Sequence, residues 1–345
     1  MQRSRSSSAG SPGHALSSDP RRWLPVALAV LALDTVVLAL LGPLAFGVIH
    51  YRVSPLLRDQ LIGSDAVSLL VIAPLGLLAA WLVRRRSPAG PLLALGTAAA
   101  SWYLVAELVL GPDRSLPGND ELFLPLFLGI LLLAATVVAG AWRAALRDDV
   151  TLDGRRRTRI AWYLLALVAL FVVGRYLPTW LSITQGRPPA DYLAGPQVWW
   201  TVAFEDLALL LPALAAAGIG LLRAARWATP ALFASAGCLA LIGTAVTGMA
   251  WSTTLHGDAG SSVATALTMT AIGLISAGPV LLAWAGVVRF PALRGRSARS
   301  AGDAPARERR LDPGSRRPPL KPAPAGRAHR SEAARKGTGA SPVGS

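Results

Sequence analysis

Charge is scarce in this chain of 345 residues: 15% of them are Asp, Glu, Lys or Arg, against 53% hydrophobic, with a mean hydropathy of +0.46. A water-soluble domain carries more charge than that. Cysteine is almost absent. Cys238 is the one thiol and sits inside an apolar run, so neither an intramolecular disulfide nor a cysteine metal site can form. Lysine is nearly missing as well, at 2 residues against 32 arginines, which with abundant Ala, Gly and Pro indicates a GC-rich genome. The signatures of familiar chemistry are lacking too. The sequence has no HExxH, no Gly-rich loop ending in Lys-Ser or Lys-Thr, and no serine in a GxSxG setting. No cofactor and no metal are expected, and no catalytic residue is nominated.

What the chain has is apolar runs of membrane-spanning length. Eight are expected, at 24–49, 64–83, 91–111, 121–142, 160–182, 197–222, 227–251 and 262–288. Each is close to the roughly 20 residues that cross a hydrocarbon core as a helix. The fold class is therefore all-α, a polytopic bundle of transmembrane helices. Its domains are an N-terminal tail at 1–22, a transmembrane domain at 23–290 and a basic tail at 291–345, both tails too poor in large apolar residues to fold alone. The first run, preceded by Arg21-Arg22, is too long for a signal h-region and lacks a small-residue cleavage site, so it reads as an uncleaved span.

The formal charge of +15 is distributed as topology signals rather than as a nucleic-acid reader: 14 of the 34 basic residues lie at or beyond Arg289, and most others fill alternate connections. Arg84 to Arg86, Arg143 to Arg159, and Arg223 with Arg226 fall on one side, whereas the other holds only Arg52, Arg58, Arg114 and Arg187. The positive-inside rule then places both termini in the cytoplasm of a bacterial cell, with the cytoplasmic membrane as location. The bilayer is the expected partner. Clusters such as Arg307 to Arg310 suit contact with anionic lipid, no protein partner is indicated, and no specific nucleic acid is expected.

The charges inside the runs carry the functional question. Asp34 falls about ten residues into the first run, near the midplane, where a carboxylate costs about 2.5–3.5 kcal/mol and must be neutral, paired or wetted. Glu107 lies one turn after Tyr103, Arg175 lies beside Tyr176, and Glu205-Asp206 interrupt QVWWTVAFEDLALLLPALAAAGIGLLRAAR. Arg175 and the acidic pair have similar depth on successive antiparallel helices, so an ion pair between them is expected. Acids also favour helix N-termini. Ser64-Asp65 and Asn119-Asp120-Glu121 read as such caps, and Glu205-Asp206 would join them if the sixth span begins near Phe204. His50 and His256 make a poor metal site without a third ligand. Thr244 with Gly248, and Gly273 with Ala277, have the spacing of close helix contacts.

Two longer patterns complete the reading. Ser64-Asp65, Pro74 and Arg84 in the second run parallel Glu205-Asp206, Pro212 and Arg223 in the sixth; this reflects either a 4+4 duplication or the chance recurrence of proline and arginine in membrane helices. The stretches SDAVSLLVIAPLGLLAAWLVRRRSPAGPLLALGT, NDELFLPLFLGILLLAA and FEDLALLLPALAAAGIGLLR resemble a group of uncharacterised multi-spanning bacterial membrane proteins, over about residues 60–250. That resemblance implies the topology and no activity. Three functions fit: a small permease with an outward-facing cavity lined by Asp34, Glu107, Arg175, Glu205 and Asp206 and coupled to protons or cations; a scaffold or accessory subunit; or an intramembrane enzyme acting on a lipid-like substrate.

Overall fold

The computed structural model describes residues 19–287. Apart from residues 19–22, the expected tails, and the lipid contact expected of the second, lie outside them. Among the described residues eight helices are long and apolar enough to cross a membrane: α1 (Leu24–Leu41), α2 (Pro55–Arg84), α3 (Ala89–Leu110), α4 (Asp120–Asp148), α5 (Gly154–Thr184), α6 (Pro196–Leu222), α7 (Ala228–His256) and α8 (Val263–Val287). No strand occurs among them. Large apolar side chains such as Leu70, Leu132, Leu255 and Leu274 point outward, which is the surface that lipid, not water, stabilises.

Two boundaries differ from expectation for local reasons. Helix α1 stops at Leu41 because Gly42 takes an extended conformation ahead of Pro43, which disfavours helical backbone in the residue before it. Helix α2 starts at Pro55, well before 64, because Ser54 caps it by accepting the Leu57 N–H and proline is preorganised for the first turn. Ser64-Asp65 therefore do not cap α2, and lie about three turns inside it.

Three helices carry a five-residue π-turn: Ser68–Ile72 in α2, Val172–Tyr176 in α5 and Asp206–Leu210 in α6. The cause is the same each time. The N–H of Ala73, Leu177 or Leu211 bonds the carbonyl five residues back, and the next residue is proline, which has no N–H and crowds the turn before it.

The two halves of the chain pack alike. Helix α2 lies between α1 and α3, and α4 closes against α3 and α1; α6 lies between α5 and α7, and α8 closes against α7 and α5. The turns after α2 and α6 agree bond for bond. Arg86 N–H reaches Val83 O and Ser87 N–H reaches Leu82 O at 2.9 and 3.0 Å; Ala224 N–H reaches Leu221 O and Ala225 N–H reaches Gly220 O at 3.1 and 2.9 Å. Both are Schellman caps with a non-glycine residue in the left-handed region, Arg86 at φ 56° and Ala224 at φ 54°. A Cβ costs about 1–2 kcal/mol there. Ala224→Gly should accordingly raise the stability of the purified protein by about 0.5–1 kcal/mol, once glycine's greater unfolded-state freedom is subtracted; a thermal shift downward would contradict the strain.

The halves meet along α7, which packs against α2 and α3. The crossings are made by paired glycines. A Cβ added at Gly248 would come within 2.6 Å of Gly63 O, and one at Gly237 within 2.9 Å of Gly96 Cα. Gly243 meets Gly273 of α8 in the same way, so the Gly248 and Gly273 noted for their spacing are at true helix contacts.

At the end opposite the arginine-rich turns, the loops are clasped by charge. Arg52 bonds Asp120 Oδ1 at 3.1 Å and Glu121 Oε2 at 2.7 Å, and Arg114 bonds Asp120 Oδ2 at 2.9 Å. Glu121 raises the Arg52 guanidinium further above its ordinary value by hydrogen bonding to its charged form. Asn119 does not cap α4; it accepts the His50 N–H at 2.7 Å and donates to Val48 O at 2.9 Å. Two of the few arginines at this end are thus neutralised, which sharpens the charge contrast between the ends.

Candidate intramembrane polar site

Proline-induced π-turns set the geometry of the site. Asp206 is the first residue of the turn in α6, and Tyr176 is the last residue of the turn in α5. Both side chains point inward. The Tyr176 hydroxyl donates to Asp206 Oδ2, and the Tyr103 hydroxyl, from α3, donates to Asp206 Oδ1 at 2.9 Å. Asp206 and Tyr176 are 5% and 4% exposed, so both phenols find in this carboxylate the partner that a buried O–H requires. Trp199, in the first turn of α6 and edge-on to Tyr176 and Trp200, closes the cluster.

Glu205 precedes Asp206 and differs from it entirely: it is 1% exposed, and neither carboxylate oxygen has a hydrogen-bond partner among the described residues. An unpartnered polar group at that depth costs stability. Because α6 runs without a break from Pro196, Glu205 and Asp206 lie well inside it, and neither caps its start. Glu107 of α3 is within electrostatic range of both Glu205 and Asp206.

The ion pair expected of Arg175 is not formed. The turn that brings Tyr176 into the core leaves Arg175 exposed, with its guanidinium 5.3 Å from the Tyr176 ring. It reaches Glu107 and Asp206 only through longer-range attraction. Asp34 stands apart from the other four. It is half-buried on α1, has no hydrogen-bond or ion-pair partner among the described residues, and lies between the outward-facing Leu33 and the inward-facing Thr35.

Two small cavities adjoin the site, each of about 30 Å³, enough for one or two waters. The first lies among α1, α2, α3 and α7 and is lined by Asp65, Ser64, Ser68, Ser101, Thr35 and Glu107, among others. The second leads toward the loops and is lined by Tyr51, Gln60, Glu107, Pro112 and Val198, among others. Glu107 and Met249 line both. Asp65, Tyr103 and Tyr176 are the residues that sequence reasoning left out of the site. The prolines would have found two of the elements: Pro178 and Pro212 each follow a π-turn that presents Tyr176 or Asp206.

Among the described residues no group of three or more His, Cys, Asp or Glu side chains is arranged to hold a metal ion. The fold defines a class: a polytopic, all-helical integral membrane protein with carboxylates buried between its two halves. Compared with known proteins, the chain matches no family model, no curated protein and no solved structure.

Proposed function

We propose that the protein is a small permease of the bacterial cytoplasmic membrane, with both termini in the cytoplasm, built from two copies of a four-span unit and coupled to protons or cations through Glu107, Glu205 and Asp206. The observation that carries this reading is Glu205. A carboxylate 1% exposed with both oxygens unpartnered is a standing cost that packing does not explain. The shared packing of α1–α4 and α5–α8 and the matching turns after α2 and α6 support the duplication, and the acids lie where α3 of one half meets α6 of the other. Repeat interfaces near mid-membrane are where transporters of duplicated architecture place their sites. The arginine-rich turns after α2, α4 and α6 support the orientation.

The test is flux. Purified protein is reconstituted into vesicles enclosing a pH dye, and a potassium gradient with valinomycin sets an inside-negative potential. Proton entry above that of protein-free vesicles is expected, reduced at least tenfold in Glu107→Gln and Glu205→Gln. Entry at the protein-free rate, together with no sodium or potassium tracer uptake, would leave the scaffold reading in its place.

A further inference from the structure

A second site lies outside the Asp206 cluster. We infer that the cavity among α1, α2, α3 and α7 binds a small monovalent metal cation through Asp65 and Glu107. Asp65 is 8% exposed, lines this cavity, and has an Oδ2 without any hydrogen-bond partner among the described residues. Ser64 and Ser68 flank it on α2, Thr35 faces it from α1, and Ser101 and Glu107 complete the wall from α3. The polar lining is therefore all oxygen, two carboxylates and four hydroxyls, and no Arg, Lys or His lines the cavity. Hard cations take such ligands.

Size and charge narrow the class. The cavity's roughly 30 Å³ has no space for the several waters that Mg²⁺ retains. One carboxylate, Glu107, also lines the second cavity, which leaves Asp65 as the dedicated charge and a single positive charge as its match. A proton alone would satisfy Asp65 without any need for a wall of four hydroxyl-bearing residues. The α2 π-turn has a purpose in this arrangement: it begins at Ser68 and, like its counterpart at Asp206, turns its first side chain inward. Gly42, just past the end of α1, leaves room for the Asp65 carboxylate, since a Cβ there would fall 2.6 Å from Asp65 Oδ2.

This inference deepens the permease reading by naming the coupling ion, and its test reads binding rather than transport. The full chain in detergent is unfolded by heat, followed by the fluorescence of its 11 tryptophans, in sodium chloride and in choline chloride of equal ionic strength and pH. Sodium should raise the midpoint by several degrees in a saturable manner. Asp65→Asn should abolish the sodium response and Glu107→Gln should raise the half-saturating concentration about tenfold, while Asp149→Asn, at an exposed turn, keeps it. Should Asp65→Asn not fold, Ser64→Ala with Ser68→Ala is expected to weaken the response by a similar factor. Equal midpoints in sodium and choline overturn the site, as does a sodium response that survives these changes. Stabilisation by protons alone would overturn it too. Sodium stabilisation without flux leaves this site standing and removes the permease; flux without a sodium response does the reverse.

Discussion

Asp206→Ala is expected to lower the free energy of unfolding in detergent by about 2–4 kcal/mol, because two buried phenols lose their common acceptor. Tyr103 and Tyr176 are both nearly inaccessible, and no other acceptor is bonded to either hydroxyl among the described residues. Asp206→Asn keeps one acceptor oxygen and should cost about half as much. A cycle with Tyr103→Phe and Tyr176→Phe should be strongly non-additive, since removing the hydroxyls removes the reason for the penalty. The neighbouring acid should respond in the opposite sense. Glu205 has no partner to lose among the described residues, so Glu205→Leu should be neutral or stabilising, because it removes an unsatisfied buried polar group. A stabilising change that ends flux would mark Glu205 as retained for activity. If Asp206→Ala cost no more than a surface substitution such as Asp149→Ala, the tyrosine bonds would not be structural.

Gly63→Leu should prevent assembly of the bundle or destabilise it by at least about 3 kcal/mol, the upper end for overpacking, since the new side chain has nowhere to go. Gly63 lies against the backbone of Gly248 and Met249, and backbone cannot rotate aside as a side chain can. Gly248→Leu should behave similarly. Gly129→Leu is the control, because nothing lies within 4 Å of a Cβ built there. Resistance to SDS-induced unfolding, read by circular dichroism, separates the two: the α2–α7 variants should unfold at lower SDS and Gly129→Leu should not. Equal behaviour would mean that the crossing contributes little.

The number of helices was legible because hydropathy reports burial in lipid directly, whereas the starts of α2 and the end of α1 depend on Ser54, Pro55, Gly42 and Pro43, which hydropathy does not register. Glu107, Glu205 and Asp206 were legible as intramembrane charge. Their partners were not, because helical spacing assumes a regular turn. A π-turn adds a residue and rotates everything after it, which is how Tyr176 rather than Arg175 came to face Asp206. Asp65 was hidden by the same assumption about where α2 begins: read at a helix start, it is a cap, but read three turns in, it is an unpaired buried acid.

Under the proposed duplication, the matching turns after α2 and α6 pair the residues of the two halves, and the pairing is chemically lopsided. Ser68 stands where Asp206 stands, Leu241 where Tyr103 does, and Ala245 where Glu107 does. A pair of identical four-helix subunits related by a twofold axis would have to carry every such residue twice. Joining the halves in one chain frees each side to change alone. Glu107 and Asp206 at the α3–α6 contact thus stand against Ala245 and Ser68 at the α2–α7 contact, while Asp65 has Ala203 opposite it, so that two halves packed alike hold an electric field that is not symmetric at all.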